Sequence, residues 1–288
     1  MTKRTYITVL VLLAFLFSLA AEGRRESPYP TLREDDWIKI SSDAPGIVIE
    51  RHGTDETMHV ELTGRGSERY RLTVLRERDG VSVEVKKKQR IGVFLSDFFD
   101  AGLYISIPES WTEGEIEVET VSGAIRVEEF IEARDIGFGT VSGAITFTGL
   151  RADEEVEIES VSGAIRGSNV IASSLELSSV SGAIMIDRIE VFNGKEDLQV
   201  ESVSGAIKLG ETKAGNAHVG SVSGSVHLTL SPRYEGTVRA SSLSGSIKAD
   251  ISTDHTSWSE KKTQGFSIGS GHNSIEVETT SGSIKIIQ

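Results

Sequence analysis

The sequence predicts an all-β chain wound as a β-solenoid with about 20 residues per coil. Three observations predict it. The phrase Ser-Gly-Ala-Ile, or a close variant, occurs eight times, with its glycine at Gly123, Gly143, Gly163, Gly182, Gly205, Gly224, Gly245 and Gly282 and steps of 20, 20, 19, 23, 19, 21 and 37 residues. Apolar side chains recur at fixed distances from those glycines. After the N-terminal segment no long stretch has the 3.6-residue period of a helix, whereas alternation with period two is common.

Taken in order, residues 1–21 read as an export signal. Lys3 and Arg4 precede an apolar run from Tyr6 to Leu19, and Ser18, Ala20 and Ala21 supply small residues for cleavage. The run is short for a membrane span, which needs about 20 apolar residues; an uncleaved anchor is the alternative, and N-terminal membrane attachment is expected only in that case. Residues 22–36, with Pro28 and Pro30, read as a flexible spacer. Residues 37–110 lack the phrase but alternate apolar and polar residues at 38–40, 47–49, 58–62, 70–74, 81–85 and 103–107, with turns at Asp43-Ala44-Pro45-Gly46 and Arg78-Asp79-Gly80. They are expected to form early coils or a cap, interrupted by an irregular stretch that opens on the basic run 86–90. Residues 111–288 are the repeat solenoid. Its one large irregularity, 255–271, is expected either as a coil without the phrase or as a loop that caps an open sheet edge. A sandwich or a propeller with two periods per blade is the competing architecture, but a sandwich does not need identical columns in every unit.

With each glycine set as position 0, the columns show what the repeat is for. Positions −7 (Ile116 in the first copy), −5 (Val118) and +2 (Ile125) are apolar in all eight copies, so they share the inner face of two strand segments. Position −2 is valine or leucine in seven copies, with Thr280 in the last. Its even phase against the odd −7 and −5 predicts a bend or bulge at the small residues, with the glycine serving the bend or the close approach of another backbone. Positions −3 and −1 are all serine or threonine, which predicts hydroxyl ladders bonding from coil to coil.

The chemistry-bearing residues form no site of a familiar kind. There is no cysteine, which excludes disulfides, a lipid-modified cysteine and thiolate metal sites. His52, His59, His218, His227, His255 and His272 fall in no metal-ligand spacing, no serine sits in a Gly-x-Ser-x-Gly elbow, and no glycine-rich loop opens a helix. No catalytic residue, cofactor or metal is therefore expected. A net charge of −13 with a pI near 5.0 argues against nucleic acid as a partner. One charge pattern stands out. Position +3 holds Arg126, Arg166, Lys208, Lys248 and Lys285, and position −4 holds Glu119, Glu159, Glu201 and Glu278. Stacked in a solenoid these become a basic and an acidic stripe. The basic one is a candidate ligand stripe for an anionic glycan, a teichoic-type polymer or a lipid head group; otherwise the two stripes are a solvated face.

The phrase Thr-Val-Ser-Gly-Ala-Ile and its spacing, the segment Ile105-Ser106-Ile107-Pro108 before the first copy, and the close Ile275-Glu276-Val277-Glu278-Thr279-Thr280-Ser281-Gly282-Ser283-Ile284 resemble the bacterial putative-adhesin family of β-strand-repeat proteins over roughly residues 37–288. The resemblance implies a right-handed parallel β-helix and a cell-envelope location, in periplasm, at the surface or secreted. It carries over no catalytic residue. The expected function is a non-enzymatic exported envelope protein with a structural or adhesin-like surface, whose partner is an envelope glycan or another envelope protein. A glycan-active β-helix lyase or hydrolase and an accessory protein of an envelope-stress sensor are the alternatives. Asp187, Asp197 and Asp250 do not recur in register as a lyase or hydrolase cleft would ask.

Overall fold

In the computed structural model, which describes residues 25–26, 29–53, 55–88, 101–192, 198–251, 255–260 and 262–288, the apolar columns fall on strands that pair in parallel from coil to coil. Ile125 lies beside Ile145, then Ile165, Ile184, Ile207 and Val226. Ile116 likewise begins the series Ile136, Val156, Leu175, Leu198 and Ala217. Nearly all of these side chains are buried in one continuous core. Stacking identical residues keeps every rung the same width, so each coil buries its inner face against its neighbours and none could do so alone. Among the described residues there is no α-helix, and no helix is long and apolar enough to cross a membrane. The expected export signal, residues 1–21, lies outside the described residues.

The bend differs from its sequence reading in two ways. Position −3, not −2, is the inner one. Thr120, Thr140, Ser160, Ser179, Ser202, Ser221, Ser242 and Thr279 are buried, whereas Val121, Val222 and Leu243 at −2 are exposed. The inward series is thus −7, −5, −3, 0, +2, with the phase change inside the Ser-Gly turn. In seven of the eight copies the −3 hydroxyl accepts the N–H of its own glycine, as Thr140 Oγ1 does from Gly143 at 3.0 Å and Ser179 Oγ from Gly182 at 2.9 Å; the buried Ser160 hydroxyl is the exception. That N–H turns inward at the bend, and leaving it unpaired costs about 1–3 kcal/mol. Coil-to-coil bonds do form, but to carbonyls and not between hydroxyls. Ser242 Oγ donates to Gly282 O at 3.0 Å, and Ser142 Oγ at −1 donates to Val121 O at 3.4 Å.

The glycine itself serves close approach and not the bend. None of the eight has a positive φ. A Cβ on Gly143 would stand 1.7 Å from the carbonyl oxygen of Gly123, and one on Gly163 would stand 1.6 Å from that of Gly143. The backbone of each turn rests on the carbonyl of the previous one, and only a residue without a Cβ fits.

Chain order and rung order part company at both ends. The last copy slips between the sixth and seventh: 273–279 pairs with 216–221 on one side and 236–242 on the other, and 284–287 lies between 226–230 and 247–250. At the other end 37–42 lies between 80–87 and 115–120, and 46–52 between 102–108 and 125–140. In this first coil Pro45 stands at the glycine position; lacking an N–H, it receives instead the Ser42 hydroxyl on its carbonyl at 2.9 Å. The first and the last coil in chain order therefore each have a partner on both sides.

Antiparallel strands then close the edges. Residues 59–63 pair with 102–108, and 70–76 with 80–87. At the far end 263–268 pairs with 236–241 and 255–260 with 263–268, so the irregular 255–271 segment is a hairpin laid on the end of the sheet. Such caps leave no long parallel edge open for aggregation. Part of the expected spacer is also packed. Leu32 is buried, Met58 N donates to Pro30 O at 2.9 Å, and buried Asp36 pairs with Arg76 at 2.7 Å and takes Trp111 Nε1 on its carbonyl at 2.8 Å. An aspartate buried this deeply needs both the cation and the amide hydrogens around it.

Candidate functional site: two lengthwise stripes

The Ser-Gly turn has an outward residue on either flank, −4 before it and +3 after it, and each column runs the length of the solenoid. The +3 column reads, rung by rung, Val48, Arg126, Thr146, Arg166, Met185, Lys208, His227, Lys285, Lys248. All five predicted stripe residues share this column, but Lys285 comes before Lys248. The −4 column reads Glu84, Ser41, Glu119, Gly139, Glu159, Ser178, Glu201, Gly220, Glu278, Ser241.

A two-coil period emerges. The glutamates of the −4 column stand on every second rung, and Arg126, Arg166, Lys208 and Lys285 occupy the same coils as Glu119, Glu159, Glu201 and Glu278. Rungs are about 4.8 Å apart, so like charges are spaced by about 9.6 Å. Adjacent like charges would repel across one rung; at two rungs they lie beyond a Debye length of about 8 Å. Only the Lys285–Lys248 step breaks the rule.

The cations line a shallow trough of about 530 Å³ from Arg126 to Lys208, whose other wall carries Glu128, Thr148, Ser168 and Asp187. Among the described residues none of the five stripe cations has a carboxylate close enough to pair. Other surface cations do: Arg151 with Glu132 at 3.2 Å, Arg188 with Glu211 at 3.0 Å, and Lys213 with Glu190. A second groove of about 650 Å³ follows the −4 column from Ser41 to Ser241, with the outward −2 valines along its side. The carboxyl of Glu119 in this groove, and those of Glu157 and Glu176 on strands that line it, are raised above the ordinary range, first by burial and then by neighbouring glutamates. This groove went unread in the sequence because −2 was assigned to the core.

A family model described as Toastrack DUF4097 matches residues 36–287. The chain belongs to the Toastrack DUF4097 family. Two solved structures are similar to this Toastrack chain. One is a putative cell adhesion protein from Clostridium sporogenes ATCC 15579, 12% identical, with a TM-score of 0.35 over 92% of this chain and 100% of that one. The other is a putative adhesin from Bacteroides fragilis NCTC 9343, 13% identical, with a TM-score of 0.41 over 92% of this chain and 98% of that one. Among curated proteins no match is found.

His227 reports on the rung order of the Toastrack stripe. Its imidazole is held below the usual histidine range, first by burial and then by Lys285 and Lys208. Its Nε2 is buried without a hydrogen-bond partner. Because the folded value is depressed, the stability tied to the neutral ring is full above about pH 6.5 and is lost as pH falls through the folded value. An NMR titration is expected to place His227 below 6.5, Lys285→Gln to raise it, and Lys248→Gln to leave it nearly unmoved. Equal responses to the two lysines would contradict the inserted coil.

Proposed function

We propose that this Toastrack protein is a non-enzymatic, exported envelope protein whose solenoid is a binding surface, and that the +3 trough holds an extended anionic glycan. The coil is part of the proposal: about 20 residues, right-handed, the sense that parallel crossover connections adopt almost without exception. The observation that carries the reading is the row of cations at a two-rung spacing that have no carboxylate partner among the described residues, whereas Arg151, Arg188 and Lys213 elsewhere on the surface are paired. A rigid row of evenly spaced charges suits a linear polymer that repeats its own charge. The opposite wall favours a sugar polymer, since Thr148, Ser168, Glu128 and Asp187 can accept hydrogen bonds from hydroxyls. The carboxylates of the second groove recur down its whole length and do not converge on one place, which suits a stripe and not an acid–base pair.

The test is binding of purified protein to anionic cell-wall polysaccharide. The variant Arg126→Gln/Arg166→Gln/Lys208→Gln/Lys285→Gln removes four contacts of about 1 kcal/mol each, so affinity is expected to fall roughly a thousandfold. Arg188→Gln, which breaks a paired arginine, should change it little. Undiminished binding by the quadruple variant would rule the trough out, and release of reducing or unsaturated sugar ends would return the protein to the enzymes.

A second reading rests on the matched period of the two stripes. The acidic groove of one copy can seat the basic stripe of another, a heterologous contact that builds rings or open arrays. Salt-sensitive assembly of the protein alone, abolished by Glu159→Lys/Glu201→Lys, would favour this reading over the glycan.

A further inference from the structure

The fold assembles three metal-ligating side chains that the sequence spacing conceals. His52 ends the strand 46–52, His59 begins the strand 59–63, and Asp55 lies in the loop between them. Their candidate donor atoms all lie within 4.8 Å of one another. We propose that His52, Asp55 and His59 form a zinc-binding site at the N-terminal end of the solenoid, separate from both stripes.

The surroundings prepare the donors as a metal site requires. Thr57 O, a carbonyl that can only accept, takes a hydrogen bond from His52 Nε2 at 2.8 Å. That bond sets the tautomer, with the proton on Nε2 and the lone pair on Nδ1. A ligating histidine tied through its other nitrogen to a carbonyl is the usual second layer of a zinc site. The Thr57 N–H donates to Asp55 Oδ1 at 2.8 Å, so one backbone residue orients two of the three ligands. Thr57 is itself fixed, by a bridge to Thr31 and by the flanking bonds from Leu32 N to Glu56 O at 2.8 Å and from Met58 N to Pro30 O at 2.9 Å. The His52 and His59 rings stack 4.7 Å apart, and Tyr29 closes the edge of His59. A tetrahedral shell with bonds of about 2.1 Å places donors about 3.4 Å apart, so the three side chains, whose donors lie within 4.8 Å of one another, need draw together only slightly to complete the set. Two imidazoles and one carboxylate suit zinc and leave its fourth position to water.

The ion would join two strand ends across the loop that links them, and so lock the cap strand 59–63 onto the stack. Calorimetric titration of the full-length folded protein with zinc chloride should show saturable binding of one ion per chain. His52→Gln and His59→Gln should each abolish it, Asp55→Asn should weaken it by at least about tenfold, and His218→Gln should leave it unchanged. Saturating zinc should raise the melting temperature of the wild type but not of His59→Gln. No saturable uptake by the wild type, or wild-type uptake by the His52→Gln/His59→Gln double variant, overturns the site. Should His52→Gln disturb the cap, the surface changes Asp55→Asn and His59→Gln decide the matter alone.

Discussion

Gly163→Ala is expected to destabilise the protein by more than about 4 kcal/mol, in the range reserved for severe defects. The added Cβ would meet the Gly143 carbonyl oxygen at 1.6 Å and its carbon at 2.5 Å. Both are backbone atoms, and neither can rotate away. Relief would need adjacent coils to separate at the turn, which breaks bonds such as Ile145 N to Ala164 O and Ser162 N to Val141 O, both 2.9 Å. Gly139→Ala is the control, because its Cβ would touch only Glu119 Cγ at an ordinary 3.8 Å; a change within about 1 kcal/mol is expected there. Urea denaturation of the two variants separates the cases. Equal midpoints would sink the account of the glycine column.

Deleting residues 273–288 should disrupt the whole C-terminal third. In a solenoid whose coils follow chain order, such a cut trims one terminal coil and leaves the rest standing. Here it withdraws an interior rung. Strands 216–221 and 236–242 lose their common neighbour, and the buried side chains of Ile275, Val277, Ile284 and Ile286 go with it. At about 1.5–3 kcal/mol for each large apolar side chain, the loss is about 6–12 kcal/mol, comparable to the stability of a whole domain at about 5–15 kcal/mol. Limited proteolysis should then cut within 216–242, whose strands are paired on both sides in the intact chain and are expected to resist cleavage there. Protection of that stretch in the truncated protein would contradict the inserted coil.

Much of this architecture was legible because the repeat is a translation. One coil's pattern, read once, holds for the next, and the columns at −7, −5 and +2 name the core residue by residue. The basic stripe was legible for the same reason. The inner position of the turn was misread because valine at −2 satisfies an apolar rule, while the buried hydroxyl at −3 answers to the glycine N–H beside it. No hydropathy pattern records that bond. The glutamate alternation was hidden because Ser241 precedes Glu278 in the chain but follows it in the stack. The His52, Asp55 and His59 cluster had no signal at all, since their spacing takes meaning only from the turn that Thr31 and Thr57 pin.

The sequence by itself determined that the chain is β, that it repeats about every 20 residues, and that the strand side chains at −7, −5 and +2 face inward, because periodic burial writes itself into periodic residues. Only the tertiary structure decided the order of the rungs, the role of the glycines and the two-coil spacing of charge. Those depend on which backbone lies against which, and parallel pairing between identical coils leaves that choice to the caps and to the interior rungs that receive the chain ends.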